Sequence, residues 1–269
     1  MTLAPADGPT PTPFAFDDGA AYERMIGRWS ALVARPFLDW LALPPGLAWL
    51  DDGCGDGSFT QALLSHQRPA SVVGVDPAPA QLHFARQRVT SAEVCFMAGD
   101  AQALPLPDAS VDAAVMALVL FFVPDPAQGV RELARVLRPG GTMAAYQWDL
   151  AAGGFPLQPI VDAVRAEGHT TQQPPSAWTS ERQALQGLWT DAGLVDVQTR
   201  QFEVSRVFDS FDDFWRTADG SPRLRELFTT LPPPDLHRIR ERARGQIGDR
   251  GDGPLVLKAR ANAVKGRRG

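Results

Sequence analysis

Residues 49–60 read WLDDGCGDGSFT: an apolar run ends in two acids, three glycines alternate with other residues between positions 53 and 57, and a helix-like stretch follows. A second apolar run, VVGV at 72–75, ends at Asp76, nineteen residues past the last of these glycines. The order strand, glycine turn, helix and acid-tipped strand predicts the nucleoside-binding half of a parallel α/β sheet. Glycines let the backbone approach a ligand closely, and the acid can accept both hydroxyls of a ribose.

The spacing of the glycines distinguishes one kind of nucleoside site from another. Dinucleotide dehydrogenases use G-x-G-x-x-G, whereas this turn is G-x-G-x-G and has Ser58 where a third dehydrogenase glycine would stand. No lysine follows the glycines as in a phosphate-binding P-loop, and the acids Asp51, Asp52 and Asp56 lie beside the turn instead. Because carboxylates repel phosphate and attract cations, the turn favours a nucleoside with a positive tail, such as S-adenosylmethionine.

Five motifs then follow one another in register. Residues 50–57 closely resemble the L-D-x-G-C-G-x-G motif of class I S-adenosylmethionine-dependent methyltransferases, and the resemblance continues at 75–77 (VDP), 99–101 (GDA), 111–115 (VDAAV) and 138–141 (RPGG). Their order and spacing are similar to the branch that includes the ubiquinone and menaquinone biosynthesis methyltransferases. The resemblance covers roughly residues 22–149.

The predicted fold class is α/β. Strands alternate with helices along the chain, which predicts a Rossmann-like, doubly wound sheet with helices on both faces. The resemblance implies seven mostly parallel strands with an antiparallel last strand, residues 255–263 pairing with 194–203. The basic tail, 265–269, is interpreted as a frayed end.

The domain organisation is predicted as a disordered leader at 1–18, rich in proline, followed by a single methyltransferase domain at 19–269. Cap helices are expected at 20–43, divided or kinked at Pro36, and a lid or insertion around 150–180 and 209–246.

The resemblance also implies cofactor contacts, residue by residue. Around the methionine part it implies Gly53, Cys54 and Gly55 beneath it, Asp51 and the backbone of Ala117 and Leu118 at the ammonium, and Tyr22 and Arg28 at the carboxylate. Around the nucleoside it implies Asp76 at the ribose, Pro77 and Gln81 beside the adenine, and Asp100 and Ala101 at the adenine edge. The alternatives are a helix cap for Asp76, an ordinary loop acid for Asp100, and a packed surface helix carrying Tyr22 and Arg28. Asp112, which starts a strand at the far edge, is interpreted as structural.

The methyl acceptor is not evident. No general base stands out; His169 and Tyr146 are weak candidate catalytic residues, and methyl transfer to a good nucleophile needs none. The adjacent Phe121 and Phe122 predict an apolar cavity and a small-molecule acceptor, methylated on oxygen, nitrogen or carbon. The alternative is a non-catalytic binder or sensor of S-adenosylmethionine or S-adenosylhomocysteine; a nicotinamide-dependent reductase is disfavoured by the glycine spacing.

Composition restricts the remaining possibilities. The 269 residues are 44% hydrophobic and carry a formal net charge of −5, which disfavours a nucleic-acid surface. Cys54 and Cys95 are the two cysteines, too few for a disulfide framework, and no clustered His/Cys spacing indicates a metal. No signal peptide or membrane span is evident, so a cytoplasmic location is expected.

Overall fold

The computed structural model describes residues 28–249, 251 and 253–269. The predicted leader at 1–18, the first part of the predicted cap helices and Tyr22 lie outside these residues.

In the part of the chain that the structure describes, seven strands form one sheet. The strands are β1 (Ala48–Asp52), β2 (Ser71–Asp76), β3 (Val94–Ala98), β4 (Val111–Ala117), β5 (Leu137–Trp148), β6 (Leu194–Phe208) and β7 (Leu255–Arg268). The helices are α1 (Arg28–Leu41), α2 (Ser58–Gln67), α3 (Pro79–Arg88), α4 (Pro126–Val136), α5 (Gln158–Ala166), α6 (Arg182–Asp191), α7 (Phe211–Arg216), α8 (Pro222–Thr230) and α9 (Pro233–Gln246).

The strand order is β3-β2-β1-β4-β5-β7-β6. β1 pairs in parallel with β2 on one side and β4 on the other, so the chain reverses its direction of travel across the sheet between these strands. β7 pairs antiparallel with both β5 and β6. This confirms the predicted mostly parallel sheet, and it places the topological switch point, where open α/β sheets bind ligands, at the carboxyl ends of β1 and β4.

Side chains of β1 alternate between two apolar cores. Trp49 packs with α1 and α2 on one face of the sheet, whereas Leu50 packs with α4 and α6 on the other. Because both faces of β1 are covered, the strand is buried along nearly its whole length, as expected for a central parallel strand.

α1 continues through Pro36 as one helix instead of dividing there. Proline removes one helical hydrogen bond, which costs about 3 kcal/mol in an exposed helix. Here Val33, Phe37 and Leu38 are fully buried on the inner face of α1. Burial of that apolar face offsets the lost hydrogen bond.

Part of the predicted lid at 150–180 belongs to the core. Leu157, Ile160, Ala163 and Val164, in and before α5, are fully buried and pack in the same cluster as α1. The second predicted insertion, 209–246, forms α7, α8 and α9, the last two of which begin at Pro222 and Pro233. None of the helices among the described residues is long and apolar enough to cross a membrane.

The prediction that residues 265–269 fray was wrong. β7 runs on to Arg268, with Lys265 paired to both Ala144 of β5 and Gln198 of β6. The Lys265 ammonium donates to the carbonyl of Trp40 at 2.8 Å, and the Arg268 guanidinium donates to the carbonyl of Leu137. The basic residues satisfy backbone carbonyls around the strand, a role that composition alone does not reveal.

Candidate active site

The glycine turn follows β1 in a conformation that side chains disfavour. Gly53, Gly55 and Gly57 have φ angles of 75°, 52° and 80°, all in the left-handed region. For a residue with a Cβ atom, the left-handed conformation costs roughly 1–2 kcal/mol.

The three glycines have different surroundings. A Cβ atom on Gly53 would lie 2.3 Å from a methyl of Val119, and one on Gly57 would lie 3.2 Å from Ala85 of α3. A Cβ on Gly55 would meet nothing closer than the side-chain oxygen of Gln81 at 4.0 Å. Gly53 and Gly57 therefore permit packing within the protein, and Gly55 borders open space in which a ligand can approach the backbone.

The amides of the turn are occupied by protein acceptors. The N–H groups of Gly53 and Cys54 donate to the carbonyl of Val75, and that of Gly57 donates to the carbonyl of Cys54. The Gly55 N–H donates to Asp76 at 2.9 Å. A phosphate site needs converging free amides. These four amides are not available for one, in agreement with the glycine spacing.

Asp76 lies at the end of β2, and its carboxylate is hydrogen-bonded to the glycine turn. One carboxylate oxygen accepts from Gly55 and the other from the N–H of Ala78 at 2.8 Å. The side chain is 8% exposed, and burial raises its pKa against the effect of these two hydrogen bonds. The predicted roles of Asp76 as a helix cap and as the acceptor of the ribose hydroxyls are compatible, because each carboxylate oxygen retains a second lone pair.

Asp51 and Asp52 are buried carboxyls on opposite faces of β1. The hydroxyl of Thr60 on α2 donates to one oxygen of Asp51, and its other oxygen has no hydrogen-bond partner. Burial raises the pKa of Asp51 to about 7, and Asp76 and Asp56 add to the rise. The pKa of Asp52 is also raised well above its usual range, first by burial and then by Asp51, Asp76 and Asp100.

Asp56 differs from the other acids of the turn because it has a cationic partner. Its carboxylate accepts from Arg88 of α3 at 2.9 Å and from the N–H and hydroxyl of Ser58 at 3.1 Å and 2.7 Å. It therefore joins the turn to the start of α2 and the end of α3, and its charge is compensated. Sequence reasoning counted Asp56 among the cation-attracting acids and missed Arg88, which lies 32 residues away in sequence.

The predicted adenine residues surround the ends of β2 and β3. Gln81 is buried beside Gly55, and Pro77 is exposed. Asp100 is exposed, and its carboxylate accepts a hydrogen bond from the N–H of Gln102 at 2.8 Å, within the same loop. Ala101 beside it is buried. The adenine contacts of these residues stay predictions.

The end of β4 carries an unusual backbone conformation. Leu118 has a φ of 64°, rare for a residue with a branched side chain, and its N–H donates to the carbonyl of Tyr146 at 2.8 Å. Strain of this kind, about 1–3 kcal/mol, concentrates at functional sites. The left-handed conformation of Leu118 turns the chain so that the side chain of Val119 packs against Gly53. The cofactor contacts predicted for the backbone of Ala117 and Leu118 lie next to this packing.

The side of the site next to β5 is filled by aromatic rings. Tyr146 is fully buried, with its ring centroid 4.8 Å from Phe37 and 6.1 Å from Phe59. Trp148 and Phe121 are almost fully buried in the same cluster. Tyr146 is thus packed into the core, and its proposed catalytic part stays a prediction.

Gln147 was missed by sequence reasoning, although a polar residue within the apolar end of β5 is a signal. It is fully buried; its oxygen accepts from the N–H of Phe121 at 2.6 Å and its amide donates to the carbonyl and hydroxyl of Thr179. Gln147 therefore fixes both the loop after β4 and the short helix Ala177–Ser180 against the sheet.

Two predicted residues have their recorded contacts elsewhere. His169 lies at the end of α5, 3.9 Å from Asp235 of α9. Arg28 is exposed at the start of α1, near Arg206 of β6, whose pKa is lowered by burial and then by Arg28. The structure does not link either residue to the glycine turn through a hydrogen bond or ion pair among the described residues. Asp112 has the structural role predicted for it, accepting from the Ala48 N–H at 2.9 Å and from Arg138 at 2.6 Å.

Comparison with known proteins agrees with this geometry. Residues 50–145, from β1 to β5, match the family described as the methyltransferase domain. The match indicates a methyltransferase-like segment over the central strands of the sheet and spans less than half of the chain.

Curated relatives match part of the chain. The chain is 35% identical over 149 residues to malonyl-[acyl-carrier protein] O-methyltransferase of Serratia marcescens, covering 55% of this chain and 52% of that protein. It is 36% identical over 108 residues to demethylmenaquinone methyltransferase of Deinococcus radiodurans, covering 39% and 45%. The chain thus spans about half the length of the curated relatives it matches.

A solved structure extends the likeness over nearly the whole chain. The putative methyltransferase in the complex with the Trm112 activator of Haloferax volcanii aligns with a TM-score of 0.58 at 18% identity, covering 96% of this chain and 98% of that one. At that identity the likeness shows the fold.

The residues around the glycine turn fit S-adenosylmethionine, the cofactor that the sequence motifs imply. Gly55 leaves room for a ligand, the turn amides leave no cradle for phosphate, and two buried carboxyl oxygens, on Asp51 and Asp52, lack donors. A nucleoside carrying an ammonium group supplies donors and positive charge to these carboxyls, whereas a dinucleotide brings a diphosphate, for which the turn offers no free amides.

Proposed function

We propose that the protein is an S-adenosylmethionine-dependent methyltransferase acting on a small acceptor. The observation that carries the proposal is the cluster of buried carboxyls at the switch point of the sheet, beside a glycine turn that is open at Gly55 and closed to phosphate. The match of residues 50–145 to the methyltransferase domain supports it.

S-adenosylmethionine supplies a methyl group already activated by a sulfonium sulfur. The protein's part is alignment and the exclusion of water. In this proposal Gly55 admits the ligand, Asp76 binds the ribose hydroxyls, and Asp51 and the backbone at Leu118 bind the methionine ammonium. The buried side chains of Tyr146, Trp148 and Phe121 exclude water from the methyl group.

The acceptor is proposed to be a small, largely apolar metabolite. Phe121, Phe122, Phe155 and Trp148 lie in or against the apolar cluster on the α1 face of the sheet, beyond the ends of β4 and β5. The demethylmenaquinone methyltransferase among the relatives, by its name, acts on such a molecule. The name of the malonyl-[acyl-carrier protein] O-methyltransferase relative suggests an acyl group bound to a carrier protein as a second class of acceptor to be tested.

Calorimetric titration tests the cofactor. We expect S-adenosylhomocysteine to bind and NAD not to bind. Binding of NAD alone would contradict the proposal. Incubation with methyl-labelled S-adenosylmethionine and a metabolite extract then tests turnover; label in a small, organic-extractable product supports the acceptor class, and label only in macromolecules contradicts it.

A non-catalytic cofactor binder is the second candidate. It is favoured by the full burial of Tyr146 and near-full burial of Trp148 and Phe121, which leaves no recorded opening at those side chains. A crystal structure with S-adenosylhomocysteine separates the two: a channel that reaches the sulfur supports an enzyme, and a sealed wall supports a binder.

A further inference from the structure

Asp52 belongs to the acidic cluster at the glycine turn, but neither the sequence motif nor the proposed mechanism assigns it a contact with a particular group of the ligand. It is the last residue of β1 and is 1% exposed. Because successive side chains of a strand point to opposite faces, Asp52 shares the face of Leu50, not that of Asp51. On that face Leu50 packs in a cluster with Ala101 and Met116, under the loop that carries Asp100.

No basic side chain compensates this carboxyl among the described residues, and its Oδ2 atom has no hydrogen-bond partner. Burying a carboxylate without a cation costs several kcal/mol, so an isolated buried carboxyl normally takes up a proton. Arg88 is the basic residue recorded beside the turn, and it is paired with Asp56. Among the described residues, none is thus placed to compensate an ionised Asp52, so the positive charge that would stabilise its ionised form would come from a ligand.

The groups that act on Asp52 come from every strand end around it. Asp51 lies beside it on β1, Asp76 ends β2 and Asp100 follows β3; all three are acidic and raise its pKa after burial itself. The nearby thiol of Cys54 is buried, and its pKa is also raised, so it stays neutral. The ends of three strands thus bring acidic side chains together on both faces of β1.

We propose that Asp52 is a further cofactor-binding carboxylate, which becomes charged when the methionine ammonium enters the site and so makes the site select charged S-adenosyl ligands over neutral nucleosides. The inference rests on the proposed function and adds a specificity residue to it. An ammonium group carries three N–H donors, whereas a sulfonium carries none, so the ammonium is the part of the ligand that satisfies an acceptor without a partner. The adenine amino and ribose hydroxyls are also donors, and the test below separates them.

The experiment compares two ligands that share the nucleoside. S-adenosylhomocysteine carries the ammonium, and 5′-deoxy-5′-methylthioadenosine lacks the amino-acid part. Calorimetric titration at pH 7.5 gives both dissociation constants for the wild-type chain and for Asp52→Asn, which keeps the shape and removes the charge. We expect Asp52→Asn to weaken S-adenosylhomocysteine binding roughly tenfold or more, the scale of a charge-assisted hydrogen bond, and to change methylthioadenosine binding less than about twofold.

Proton release gives an independent readout. Titrating S-adenosylhomocysteine in two buffers of different ionisation enthalpy measures the protons released on binding. We expect the wild type to release more protons than Asp52→Asn, because only the wild type has this carboxyl to ionise. Asp52→Leu is the second variant if the asparagine form does not fold, and melting curves establish that either variant is folded.

Asp112→Asn is the matched control, since Asp112 lies at the opposite end of the sheet in an ion pair with Arg138. It should leave the ratio of the two dissociation constants unchanged. An unchanged ratio in Asp52→Asn, or an equal loss for both ligands, would overturn the inference while leaving the proposed function in place. A wild-type chain that binds neither ligand would overturn the proposed function and this inference together.

Discussion

Gly53 and Gly55 are the same residue type two positions apart, yet they meet different physical demands. Both have positive φ, so both favour glycine for backbone reasons. Only Gly53 has a protein neighbour, Val119, in the place of a side chain. Substitution at the first position should therefore affect folding, and substitution at the second should affect the ligand.

Gly53→Ala should destabilise the fold. The new methyl would overlap Val119 and the residue would keep an unfavourable φ, which together cost about 2–4 kcal/mol in the free energy of unfolding. Urea unfolding measures this loss. Combining the change with Val119→Ala should recover the part due to overlap, and a double variant no more stable than Gly53→Ala would contradict the assigned contact.

Gly55→Val should abolish cofactor binding while costing the fold only about 1–2 kcal/mol, the backbone strain of the left-handed region. The reason is that no protein atom lies within 4 Å of the new Cβ except the Gln81 oxygen at that limit. Titration with S-adenosylhomocysteine is the measurement, with Gly140→Ala as a matched control at a positive φ (79°) in open space away from the turn. Retained affinity in Gly55→Val would place the ligand elsewhere.

Among the elements, β7 joins the parallel part of the sheet to the edge strand β6. It pairs with β5 over residues 261–267 and with β6 from Leu255 to Arg268. Gly266 is part of this packing, since a Cβ atom there would lie 3.0 Å from Trp189 of α6. The end of the chain is therefore a structural element, although its composition resembles a solvated tail.

Deleting residues 265–269 should destabilise the protein strongly. The deletion removes ladder hydrogen bonds to two strands, each worth about 0.5–1.5 kcal/mol, together with the contacts of Lys265 and Arg268 to the carbonyls of Trp40 and Leu137. A melting temperature within a few degrees of the wild type would support the frayed end that the sequence suggested. Deleting Gly269 alone, which lies beyond β7, is the control.

At the scale of the whole molecule, the acids at the switch point set the response to pH. The folded protein holds the proton of Asp51 more tightly than the unfolded chain does, because burial raises its pKa from 3.8 to about 7. Stability from this group is therefore present at low pH and is lost as pH rises from about 4 to about 7, after which it levels off. Affinity for a ligand that carries an ammonium group should instead increase over the same pH range, because the carboxylate of Asp51 becomes negatively charged there.

We expect unliganded protein to melt at a higher temperature at pH 5.5 than at pH 8, and S-adenosylhomocysteine to bind more tightly at pH 8. Asp51→Asn should reduce both differences and should gain on the order of 2–4 kcal/mol of stability at pH 8 relative to wild type. Carboxyls whose pKa is lowered, such as Asp112 beside Arg138, lose their stabilisation only as the pH falls below the usual range of a carboxyl pKa and do not contribute in this window. Affinity that falls between pH 5.5 and pH 8 would contradict the proposed role of the cluster.

Much of the site could be predicted because it is local in sequence. The turn, Asp76 and the loop at Asp100 each follow a strand directly, and parallel strands bring their carboxyl ends to one edge whatever their side chains do. Residues that act through long-range contacts could not be found this way. Arg88, Val119 and Gln147 matter through partners far away in sequence, and their types carry no signal of those partners.

The amino-acid sequence by itself determined the alternation of strands and helices, the glycine turn and the preference for a cationic nucleoside, because periodicity, glycine spacing and charge are properties of short segments. Only the tertiary structure decided which acids are compensated and which are not. Asp51, Asp52 and Asp56 look equivalent along the chain, but Thr60 binds the first, Arg88 neutralises the third and the second is buried without a donor on Oδ2. Packing sets the partners and the dielectric surroundings of each carboxyl, and these surroundings decide whether its charge is compensated within the protein or by a ligand.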